Sequence, residues 1–169
     1  MTAAREQLLA LKQVTVAFSG FIAVDRLDFE VASGELRCLI GPNGAGKSTT
    51  LDLICGKSRI TAGEIAFRGE PIHTLKEFGI SRAGIGRKFQ VPSVFRELTV
   101  RENLEIGCSR DPGVWRNLFR FSGGADTERL ERLAVLVGLE DQLETQAAQL
   151  SHGQTQWLEI ALILAQDPA

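Results

Sequence analysis

The sequence predicts an α/β fold with a mainly parallel core sheet, and three observations carry that expectation. Apolar residues alternate with polar or small ones in two short runs near the start of the chain. A mostly apolar stretch, residues 36–40, leads directly into a glycine-rich loop and then a helical pattern. Beyond Thr99 the apolar residues return at helical rather than strand spacing.

Each element has its own signal. Val14, Val16 and Phe18 alternate with Thr15 and Ala17, and Leu27, Phe29 and Val31 alternate with Asp28 and Glu30, which predicts two half-buried strands. Ser33-Gly34 turns the chain into residues 36–40, short and apolar enough for a central strand. A helix is expected from Lys47 to about Cys55, with Gly56 as its C-terminal stop. Ile65-Ala66-Phe67, between Gly63 and Gly69, reads as a strand, and so do residues 85–89, ending before Pro92. Thr99 is placed to cap a helix over residues 100–106, with Glu102 in its first turn. Pro112, Gly113, Gly123 and Gly124 make residues 109–125 an irregular insertion. Leu130, Leu133, Val137 and Leu139 mark an amphipathic helix starting near Asp126, and a last helix covers about 154–165.

Composition bounds the function. The chain has 169 residues, and a hydrophobic content of 44% is enough for a packed core. A net charge of −2 gives no electrostatic sign of nucleic-acid binding. Cys38, Cys55 and Cys108 are too scattered for a metal site and read as buried, reduced thiols of a cytosolic protein. The apolar run 158–164 is too short to span a membrane and carries a charge, Glu159. Arg5 and Glu6, followed by only a brief apolar stretch at 8–11, do not make a secretory signal. The expectation is a cytosolic protein that meets a membrane only through a partner.

The chemistry lies in Gly41-Pro42-Asn43-Gly44-Ala45-Gly46-Lys47-Ser48, which fits G-x-x-x-x-G-K-[ST] at every fixed position. Glycines let the backbone curl so that successive N–H groups point inward at phosphate oxygens. The helix that begins there adds the positive end of its dipole. Lys47 supplies a compact cation for the β- and γ-phosphates, and the Ser48 hydroxyl is placed to ligate Mg²⁺, a hard ion that prefers oxygen. Thr49 can add a hydroxyl toward the phosphates. The expected ligand is therefore ATP with Mg²⁺.

A second motif, Leu150-Ser151-His152-Gly153-Gln154, resembles the ABC signature Leu-Ser-Gly-Gly-Gln, with His152 in the third place. Ser151 is also a sound N-cap. Taken with the phosphate loop, this likeness to the ABC ATPase family spans about residues 11–168. It implies an antiparallel N-terminal β subdomain, a mainly parallel core and a helical signature subdomain. It divides the chain into an extension at 1–10, a β subdomain and loop core at 11–92, a helical subdomain at 93–153 and a helix returning to the core at 154–169. It puts Gln90 in the place of the glutamine that approaches Mg²⁺ and the attacking water. Phe18 falls where the family has an aromatic that stacks on adenine. Ser151, Gly153 and Gln154 would face the γ-phosphate held by a second ATP-binding subunit, paired head to tail.

The resemblance also implies an energy-coupling ATPase at the cytoplasmic face of a membrane, held there by permease subunits and served by a periplasmic solute-binding protein. Residues 18–24 resemble the importers of branched-chain amino acids and urea, and residues 85–95 and 150–159 are similar to the ATP-binding subunits of urea importers, with importers of short amides or amino acids next. Two departures stand against a complete enzyme. The family's Asp-Glu pair and its switch histidine have no counterpart before Ala169, and neither His73 nor His152 substitutes for them. A non-catalytic nucleotide-binding module, or a truncated gene product without ATPase activity, therefore stays open as an alternative. The expectation for the 169-residue chain by itself is ATP binding without hydrolysis, and poor stability.

Overall fold

The structure is a computed structural model that describes residues 6–88, 94–108 and 124–169. These form two compact units, divided between Ile85 and Gly86.

The first unit is built on a four-stranded antiparallel sheet. Strand β1 (Gln7–Phe18) pairs with β2 (Phe21–Ala32) on one edge and with β3 (Ala62–Phe67) on the other, and β3 pairs with the short β4 (Glu70–Pro71). The β1–β2 hairpin is not regular. Between the pairs Leu11↔Phe29 and Val14↔Leu27 strand β1 carries an extra residue, and between Val14↔Leu27 and Val16↔Val24 the surplus is on β2. Each bulge contains a residue in left-handed conformation, Gln13 or Arg26. The bulges let Leu9, Leu11, Val14 and Val16 all face the core, where they meet Val24, Ile65, Phe67 and Ile72. Helix α1 (Lys47–Ile54) adds Leu53 and Ile54 to this core, and α2 (Glu77–Ala83) adds Ile80.

The second unit is helical. Helix α3 (Val100–Cys108), α4 (Gly124–Val137) and α5 (His152–Ala165) pack around Val100, Leu104, Leu130, Ala134, Leu139, Leu158 and Ala161. Two capping boxes fix the helix starts. Thr99 N–H donates to Glu102 Oε2 (2.7 Å) while Glu102 N–H donates to Thr99 Oγ1 (3.1 Å). Asn103, fully buried, closes the turn before α3: it accepts from Phe95 N–H (2.8 Å) and donates to the carbonyls of Phe95 and Thr99 (both 2.9 Å).

Several expectations need correction. The antiparallel sheet and the helical part are as the sequence implied, but no parallel pairing occurs among the described residues. Residues 36–40 form no strand: Leu36 is 92% and Ile40 94% exposed. Residues 85–88 are likewise irregular. An apolar run becomes a strand only when another segment offers it backbone partners, and no described strand pairs with either stretch. Strand β1 begins at Gln7, so residues 7–10 belong to the sheet rather than to an extension, and Leu9 and Ala10 are buried in it. Helix α2 was not anticipated. Only Cys108 is buried; Cys55 is half-buried and Cys38 exposed.

Candidate functional site

Residues 41–48 begin as irregular chain and pass through two tight bends before α1 starts at Lys47. Gly44 (φ +84°) and Gly46 (φ +78°) both adopt the left-handed conformation. Gly46 is fixed twice over. A Cβ there would be strained by that φ, and it would stand 2.7 Å from the backbone oxygen of Ala23 in β2. The hairpin wall at Ala23 thus sets how closely the loop can fold, a role that no local motif announces.

The start of α1 has no internal answer for its donors. Its N-cap is Gly46, with no side-chain cap, and its first turn holds no acidic residue. The first backbone bond into the helix is Thr50 N–H to Gly46 O (2.8 Å), reinforced by the Thr50 hydroxyl on the same oxygen (3.0 Å). The N–H groups of Lys47, Ser48 and Thr49 come earlier than any carbonyl a full turn back can serve. They and the helix dipole point toward the loop. Lys47, half-buried, donates from Nζ to Gly41 O and Pro42 O (2.6 Å each). The ammonium is therefore parked on the loop's own carbonyls. This donor set fits a multiply charged oxyanion: backbone N–H groups, one cation and no competing carboxylate. Ser48 is exposed at the loop's rim, where its hydroxyl is free to meet a cation carried by the anion.

Phe18 ends β1 opposite Phe21, with Ser19 and Gly20 forming the turn between them, and its ring is 48% exposed. An exposed ring face is what stacking on a planar base requires. Gln90 lies outside the described residues. His73 Nδ1 stands 3.2 Å from Ile65 N, and His152 Nε2 stands 2.9 Å from Gln156 Nε2. Among the described residues no group of three His, Cys, Asp or Glu side chains could hold a metal, and no helix is long and apolar enough to cross a membrane.

In the second unit, Ser151 caps α5. Its Oγ accepts from Gln154 N–H (3.3 Å) and its own N–H donates to Gln154 Oε1 (2.9 Å). Ser151, His152 and Gly153 are exposed, and nothing lies within 4 Å of where a Gly153 Cβ would stand. Glu159 is buried in α5 (4% exposed) with its Oε2 3.0 Å from Lys88 Nζ. Its signal was a carboxylate inside the otherwise apolar run 158–164.

A protein-family model described as ABC transporter matches residues 24–169, taking in both the phosphate loop and the Ser151 motif. The chain belongs to the ABC transporter family. The ABC assignment agrees with its relatives. A high-affinity branched-chain amino acid transport ATP-binding protein of Salmonella typhimurium is 34% identical over 170 residues, covering 96% of this chain and 67% of the relative. A sulfate/thiosulfate import ATP-binding protein of Shewanella oneidensis is 35% identical over 158 residues, covering 94% of this chain and 43% of the relative. The chain thus spans about half to two thirds of the curated relatives it matches. Among solved structures, the ADP conformation of an ATP-binding cassette of an ABC transporter superposes with a TM-score of 0.80 at 28% identity, covering 96% of this chain and 66% of that one. For an ABC chain, the loop at 41–48 and the start of α5 are the two positions where the motifs fall, and they lie in different units.

Proposed function

We propose that this chain is part of the ATP-binding subunit of an ABC importer, coupling ATP binding and hydrolysis to solute uptake. One observation carries the reading: the start of α1 has no side-chain cap and no acidic residue in its first turn, and the Lys47 ammonium lies on the carbonyls of the loop that leads into it, a donor set that suits an anion. The triphosphate would take the place of the Gly41 and Pro42 carbonyls as the partner of Lys47. Ser48 would hold Mg²⁺, which would supply charge neutralisation at the phosphates. Gln90 would approach that ion, and Phe18 would stack on the adenine. Ser151, Gly153 and Gln154 would meet the γ-phosphate of a partner subunit, in a head-to-tail pair attached to permease subunits at the cytoplasmic face of the membrane. A periplasmic solute-binding protein would deliver the solute.

For the solute we favour urea, with short amides or branched-chain amino acids as its near relatives. The support is the likeness of residues 85–95 and 150–159, including His152 and Trp157, to urea-importer subunits. Uptake of labelled urea by cells lacking the gene, and its return on complementation, tests this. Unchanged urea uptake with lost amino acid uptake would move the assignment to the second class.

The binding step is tested by titrating labelled ATP with Mg²⁺. Lys47→Ala should weaken binding by roughly 1.5–3 kcal/mol, the scale of a charge-assisted hydrogen bond. Equal affinity in the parent and in Lys47→Ala would remove the loop from the site.

A further inference from the structure

We infer that Lys88 and Glu159 form a positioning pair, an ion pair between a partly exposed ammonium and a buried carboxylate, that registers the chain leading into Gln90 against the signature helix α5. The inference rests on the ATP-binding reading, because it gives Gln90 and the Ser151 motif their functions.

The geometry has two contacts. A Cβ on Gly86 would stand 2.7 Å from Ile163 Cγ2, so the backbone there lies directly on α5. Two residues later Lys88 Nζ reaches Glu159 Oε2 at 3.0 Å. Moving from residue 86 to 88 thus moves the contact from 163 to 159, toward the signature end of α5. One turn of helix rises about 5.4 Å, and two residues of chain span up to about 7 Å. The segment therefore runs alongside the helix, against its direction, and Gln90 follows Lys88 by two residues in the sequence.

Stability alone does not account for a carboxylate at this position. The Glu159 side chain is 5% exposed, that of Lys88 33%, and Glu159 Oε2 accepts no well-aligned hydrogen bond. The other buried residues of α5 are Leu158, Ala161 and Ala165, all apolar. An apolar residue would pack there at less desolvation cost, since buried ion pairs are often no more stabilising than apolar residues of equal volume. What an ion pair adds is register, because slipping the segment by one residue separates the charges. Residues 85–88 have no sheet partner among the described residues, and the pair and the Gly86 contact are two points at which they meet α5.

The test uses the complete gene product assembled with its membrane partners. Glu159→Gln keeps the side-chain shape and removes the charge; Lys88→Met does the same from the other side; the exchange Lys88→Glu with Glu159→Lys restores opposite charges. ATP turnover and the affinity for labelled ATP are measured for each, with Lys47→Ala as the control. Each single variant should lower kcat at least fivefold while KM and ATP affinity stay within twofold, and the exchange should recover at least half of the parent's kcat. Unchanged kcat in Glu159→Gln overturns the inference. So does a joint fall of kcat, affinity and melting temperature that the exchange leaves as low as the singles, since that is a merely structural pair. Parent turnover that survives Lys47→Ala would instead remove the ATP-binding reading, and with it the role given to the pair.

Discussion

Helix α1 starts on a left-handed glycine with no side chain bonded to its first turn, whereas α5 starts on a serine whose hydroxyl and backbone are both engaged by Gln154. Both are helix N-termini next to a glycine, and both carry the same partial positive charge. They differ in what the chain itself supplies. At α5 the capping box satisfies the Gln154 and Ser151 N–H groups, so the helix needs no ligand to begin. At α1 the loop offers only the Ser48 and Thr49 hydroxyls and the Lys47 ammonium, and it turns the ammonium onto carbonyls. An uncapped start costs stability, of order 1 kcal/mol relative to a good cap. That cost is consistent with a site whose cap is an external anion.

The sharpest way to break this comparison is Gly46→Ala. A left-handed alanine costs about 1–2 kcal/mol, and the new methyl would also meet the Ala23 oxygen at 2.7 Å, a backbone atom that cannot swing aside. The loss should be at least about 2 kcal/mol of stability, together with loss of labelled-ATP binding. Denaturant unfolding and ATP titration of the same sample check both. A variant that binds ATP like the parent would mean that the observed loop shape is not the one that holds phosphate.

How far the sequence reached differs in the same way between local and non-local features. The loop, the helix start at Thr99 with Glu102 in its first turn, the Ser151 cap and the alternation in β1 and β2 are all legible, because each depends on residues within a few positions of one another. Residues 36–40 were misread because apolarity predicts burial, while a strand is a pairing that only another segment can complete. Helix α2 escaped because it is seven residues long, with Gly79 at its centre lowering its propensity. The contact of Gly46 with Ala23 and the burial of Glu159 against Lys88 join positions far apart in sequence, and no spacing rule finds them.

At α5 the expected losses are smaller. Ser151→Ala removes the acceptor of the Gln154 N–H and should cost about 1 kcal/mol of stability. Gln154→Ala leaves that bond in place, since the donor is backbone, and removes only the return bond to Ser151 N–H. It should cost about 0.5 kcal/mol, the low end for an exposed hydrogen bond. Neither should alter ATP affinity at the loop by more than twofold. A large effect of either on that affinity, measured with the isolated subunit, would mean that the two helix starts share one site within a chain.

The smallest effect is expected from Gly153→Ala, the same substitution as at Gly46 in the corresponding neighbourhood of the other helix. Here the backbone is helical, with no positive φ, and a Cβ meets no atom within 4 Å. Alanine also loses less backbone freedom than glycine on entering a helix. In a helix interior that difference reaches about 0.8–1 kcal/mol; in the first turn, beside the cap, about half of it is a reasonable expectation. Gly153→Ala should therefore leave the fold as stable as the parent or more stable by up to about 0.5 kcal/mol. Any functional loss would then belong to the face that Gly153 presents, not to folding. The decisive measurement pairs a denaturant midpoint with ATP-dependent association of subunits. A midpoint at or above the parent's, with association weakened, places the glycine's value in an anion approaching from outside the chain. A clearly lower midpoint would show that the start of α5 is as tightly constrained as that of α1, and the contrast between the two helices would fail.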